Sequence, residues 1–133
     1  MYQSDWLLRQ IEMMGLAFRR MLAALREHRP DEVLEVSREA AGELIDTDSD
    51  LLDMLTGDAL VALLSAGGTL DRFRAHMLGE LLAARVDALT GLGRDAEADH
   101  ERARARTLLE AALPLSDGAD AERITELLGW LDA

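Results

Sequence analysis

The chain has 133 residues, the size of one domain with one hydrophobic core and too few for two comfortable ones. Its 14 basic side chains stand against 26 acidic ones, a formal net charge of -12, which opposes approach to a phosphate backbone or an anionic membrane surface, so neither nucleic acid nor membrane is expected as a partner. The absence of Cys removes thiolate nucleophiles, Cys-bearing zinc sites and redox switches, and the absence of Lys removes Schiff-base chemistry and the P-loop.

Acids and arginines interrupt every apolar run well before the roughly 18 residues of a membrane span. Met1-Tyr2-Gln3-Ser4-Asp5 carries neither a basic stretch nor a small-residue cleavage site. A cytoplasmic location is the expectation.

Helical periodicity begins at once, with Leu7, Ile11, Met14, Phe18, Leu22 and Leu25 at spacings of three and four. This stripe predicts a first helix capped by Ser4 or Asp5 and packed through those residues into the core. It ends near His28 and Arg29, because Pro30 disfavours helical geometry in the residue before it and suits the first position of the next helix. The second helix runs to Ile45, burying Val33, Val36, Ala40 and Leu44, and residues 4–45 form a helical hairpin.

Residues 46–68 read as short irregular helices. Thr47 with Asp50, or Asp50 with Asp53, suits a capping box over Leu51, Leu52 and Leu55, and a further short helix covers Asp58 to Ser65. From Thr69, read as an N-cap, a long helix continues to about Leu92 with a broad apolar face. Gly91 and Gly93 close it, and the next helix runs from Asp95 until Pro114, so residues 69–113 form a second hairpin. A last amphipathic helix spans residues 119–132 with Ile124, Leu127, Leu128 and Leu131. The expected fold is all-α, with six to seven antiparallel helices.

The second hairpin resembles a tetratricopeptide unit: Leu82, Val86, Leu89, Gly93, Ala98 and Ala105 fall at its apolar, turn and small positions. The strings Asp5-Trp6-Leu7-Leu8-Arg9-Gln10-Ile11-Glu12 and Phe18-Arg19-Arg20-Met21-Leu22 resemble the start of a bacterial family of short helical proteins classed as a domain of unknown function. The resemblance implies a helical fold and a bacterial source; it implies no activity.

Several constellations bear on chemistry. Asp46, Asp48 and Asp50 alternate as calcium loops begin, but Leu51 stands where such a loop needs Gly and Gly57 where it needs Glu, so helix capping is preferred. His76 and Glu80 lie one helical turn apart, and His100 in the following helix is a candidate third ligand for a divalent metal. Arg102 and Arg106 align on one face while Arg104 diverges, which disfavours an anion cluster. Most methionines continue core stripes, although thioethers suit an adaptable groove. Tyr2 and Trp6 are candidate contact residues.

No catalytic constellation is legible and no cofactor is expected. The function expected is a non-enzymatic protein-protein interaction module. The alternatives are a small metal-binding protein or metal-dependent enzyme using His76, Glu80 and His100, and a structural homodimer in which an amphipathic helix pairs with its symmetry mate.

Overall fold

A computed structural model describes residues 2–133, with side chains from Asp5 onward. Among the described residues the secondary structure is all helical: α1 (Tyr2–Arg26), α2 (Pro30–Ile45), α3 (Ser49–Met54), α4 (Gly57–Leu64), α5 (Arg72–Gly91), α6 (Asp95–Ala112) and α7 (Gly118–Asp132), with a 3-10 turn at Leu113–Leu115. None of these helices is long and apolar enough to cross a membrane.

Punctuation residues set most of the boundaries. Pro30 opens α2, and α1 stops when His28 takes a left-handed conformation (φ 56°), which lets the Arg29 N–H donate to the Ala24 carbonyl at 2.8 Å. Gly93, at φ 73°, reverses the chain between α5 and α6, a conformation that costs glycine nothing.

The capping expectations need correction. α1 is already helical at Tyr2, so Ser4 and Asp5 are inside it. The cap of α3 is Asp48, whose side chain accepts from the Asp50 N–H, in place of Thr47 or Asp50. Thr56 caps α4, its hydroxyl accepting from the Ala59 N–H. Asp71 caps α5 by accepting from the Arg74 N–H, and Thr69 lies outside the helix. In α3, α4 and α5 the residue two or three positions before a free amide at the helix start wins, because only there does a short side chain reach it.

α5 is the axis of the molecule. It packs antiparallel on α6 and against α2; α1 lies on α2, α4 on α6, and α7 lies against α5 and α6, joined to them by Asp120–Arg72, Arg123–Glu80 and Asp132–Arg106 pairs. Leu78, Leu81, Leu82, Val86 and Leu89 of α5 are all buried, as an apolar surface on several sides of one helix demands. Two glycines allow close helix approach here: a Cβ on Gly79 would meet Leu109 Cδ2 at 2.6 Å, and one on Gly57 would meet Thr107 Cβ at 2.7 Å. Ala98 and Ala105, the small residues of the second hairpin, are buried as well.

The expected core face of α1 is displaced. Met14, Ala17, Met21 and Ala24 form the buried seam, whereas Leu7, Ile11, Leu22 and Leu25 are 38 to 48% exposed and Phe18 is half-buried. The small side chains of Ala17 and Ala24 let α1 settle against α2, which turns the larger residues beside them outward.

Candidate functional site

The displaced stripe makes one wall of a groove. Phe18, Met21, Leu22 and Leu25 of α1 face Leu127 and Trp130 of α7, and Ala83 and Ala84 of α5 form the floor. Each helix contributes two turns, so the groove is about 10 Å long at 1.5 Å per residue. It encloses about 740 Å³. Small residues at the floor and large ones on the walls make a channel of the kind that takes the apolar face of a helix.

Charge surrounds this apolar lining. Glu80, Asp87, Glu126 and Arg123 complete it, three carboxylates to one guanidinium. Glu80 is held from two sides. Its Oε2 accepts from His76 Nε2 at 3.1 Å, which an ionised carboxylate requires of the ring nitrogen because it has no proton to give. Its Oε1 accepts from Arg123 Nη2 at 2.9 Å and Nε at 3.2 Å. Burial pushes the Glu80 carboxyl up, but the hydrogen bonds from His76 and Arg123, with the Arg123 charge, outweigh it and hold the group below its ordinary value. The same carboxylate raises the Arg123 guanidinium. The triad therefore fastens α7 to α5 beside the groove floor.

Of the three candidate metal ligands, the fold brings two together. His76 is buried against Glu80, whereas His100 is exposed near the start of α6. Because α5 and α6 are antiparallel and Gly79 meets Leu109, His76 lies near the C-terminal end of α6, more than two turns from His100. Arg123 supplies at Glu80 the positive charge that a cation would bring. Among the described residues no group of three or more His, Asp or Glu side chains is placed to hold a metal ion.

The remaining candidates fall apart similarly. Asp50 pairs with Arg38, Asp48 caps α3, and Asp46 is the left-handed residue ending α2, so the three aspartates do not converge. The Trp6 ring carries the Arg74 guanidinium 4.5 Å from its centroid, which ties α1 to the start of α5. The side chain of Tyr2 lies outside the described residues. Met14 is buried, Met54 is 80% exposed and away from the groove, and among the described methionines Met21 alone lines it.

Sequence reasoning missed a second ionic cluster in the interior. Arg104 of α6, 3% exposed, donates to Glu101 Oε1 and to the Leu52 carbonyl of α3, each at 2.8 Å. Arg85 of α5 lies 3.4 Å from Glu101 Oε2 and donates to the Leu34 carbonyl and the Ser37 hydroxyl of α2 at 2.9 and 3.1 Å. Four helices are joined through one carboxylate. The signal was a gap: the apolar stripe of α6 jumps from Ala98 to Ala105, and Glu101 and Arg104 occupy the core spacing between them.

No family profile, curated protein or solved structure matches the chain.

Proposed function

We propose that the chain is a non-enzymatic protein-interaction module whose working surface is the groove between α1 and α7. The observation that carries this reading is the set of leucines that folding leaves unburied along α1 beside a channel already walled by Trp130 and Leu127. Apolar side chains gathered in one exposed patch, with a charged rim, mark a surface that a partner covers. Glu80 and Arg123, the charged pair at the groove floor, satisfy each other and join α5 to α7 instead of standing free to act on a substrate. The small residues of the floor and its two-turn length fit an amphipathic helix with anchors at i, i+3, i+4 and i+7.

Selection of amphipathic helices from a displayed peptide library on the immobilised full chain tests the proposal. The expected binders carry apolar residues at helical spacing with basic flanks, and lose binding to Leu22→Glu although its circular dichroism and melting match the parent. No enrichment, or binders indifferent to Leu22→Glu, would overturn it.

A further inference from the structure

We infer that the groove is filled by α1 of a second copy of this chain, in a two-fold dimer where each copy supplies one helix and one groove. This rests on the reading of the groove as a helix-binding surface.

Charge distribution picks the occupant. The chain as a whole has a net charge of -12, yet α1 holds four arginines (Arg9, Arg19, Arg20, Arg26) against two acids (Asp5, Glu12), a net of +2. Most arginines elsewhere are paired with a carboxylate of their own chain, and Arg102 donates to the Leu131 carbonyl. Among the described residues Arg9, Arg19 and Arg26 have no carboxylate within ion-pair reach. The acids face α1 from the rest of the groove, Asp87 on the floor helix α5 and Glu126 on α7. Asp87 is exposed and has no ion-pair partner among the described residues, and Glu126 is 73% exposed, 3.7 Å from Arg123. One chain thus contains both an amphipathic basic helix and an apolar groove with acids facing that helix.

The helical period makes the two features meet. With about 100° per residue, Arg19 and Arg26 lie on the side of α1 opposite the buried Met14, Ala17, Met21 and Ala24, and the Phe18, Leu22, Leu25 stripe lies between these two faces. A second copy lying parallel over the first, about a two-fold axis that runs along the helices, keeps its own core on the far side. Its α1 then sets stripe against stripe with the first α1, and turns Arg19 and Arg26 down toward Asp87 and Glu126. The two-fold axis repeats the contact, so both grooves close with no repeating chain of contacts left open. An unrelated acidic surface would be repelled by the same rim.

Sedimentation velocity of the full chain across a wide concentration range is the first test, with a concentration-dependent dimer expected. Leu22→Glu should raise the dissociation constant at least about tenfold while leaving the melting curve in place. The decisive arm exchanges charge. Arg19→Glu with Arg26→Glu in one chain, and Asp87→Arg with Glu126→Arg in another, should each give a monomer, because like charges then face each other across both grooves. Mixed, the two chains should form a heterodimer, since both grooves again join opposite charges. A dimer unaffected by either double variant, or variants that remain monomeric when mixed while each is folded by circular dichroism, overturns the inference. A monomer at every concentration that still binds library-selected helices overturns self-pairing and leaves the groove reading standing; one that binds none overturns both.

Discussion

The interior between α5 and α6 and the outer face of α1 treat charge and hydrocarbon in opposite ways. Inside, Glu101 and Arg104 are buried and Arg85 joins them, while outside, Leu7, Ile11, Leu22 and Leu25 keep 38 to 48% of their surface in water. The interior charges are held because each finds a partner: two guanidiniums share one carboxylate and reach backbone carbonyls of α2 and α3. The exposed leucines have no such compensation within the chain. A residue's polarity sets the cost of its position; neighbours decide whether that cost is met.

Removing the shared carboxylate breaks the interior side of the comparison most severely. Glu101→Ala leaves Arg85 and Arg104 facing each other without a counter-charge and should destabilise the fold by about 3 to 5 kcal/mol, measured by urea denaturation. A loss below about 1 kcal/mol would show that the cluster is solvated and not a true interior feature. Next is Gly79→Ala. The added Cβ meets Leu109 at 2.6 to 2.7 Å, so α5 and α6 must move apart or Leu109 must leave its rotamer, at a cost of about 1 to 3 kcal/mol. A melting temperature equal to the parent's would mean that the hairpin is looser than this contact implies.

The groove floor gives a smaller, pH-dependent effect. Glu80 ionises below its ordinary value in the folded chain, so the unfolded chain binds the extra proton in the interval between that depressed value and about 4.3. Its contribution to stability is present above that interval and fades as the pH falls through the folded value. Glu80→Gln should therefore flatten the acid limb of a stability-against-pH curve; an unchanged slope would separate the His76–Glu80–Arg123 contacts from stability. The smallest effect belongs to the outer face. Leu22→Ala, at a half-exposed position, should change monomer stability by less than about 0.5 kcal/mol in urea, and a loss of 2 kcal/mol or more would return α1's stripe to the core.

The helices themselves were legible because their stops are chemical. Pro30 and Pro114 lack an N–H, Gly93 adopts a positive φ, and α2 runs from Pro30 to Ile45 as periodicity places it. The orientation of α1 was not. Its apolar residues cover two adjoining faces, and a pattern of large side chains points to Leu22 and Leu25, whereas packing selected Ala17 and Ala24. The candidate site divides along the same line. His76 and Glu80 are one turn apart in a single helix, so their contact was readable; Arg123 reaches them from 43 residues away, a separation that no local period encodes.

The interior cluster also bears on the order in which the chain folds. α5, α6 and the turn at Gly93 are neighbours in sequence, so their hairpin closes by a short loop, and α1 with α2 does the same. The bond from Arg85 to Ser37 joins the two hairpins across 48 residues that include α3 and α4. Closing so long a loop costs entropy before any contact repays it, and the two donors on Arg85 act only once α2 has docked. Docking of the two hairpins is then the late step of folding, and the Arg85–Ser37 contact belongs to what holds the native state against unfolding more than to what starts its formation.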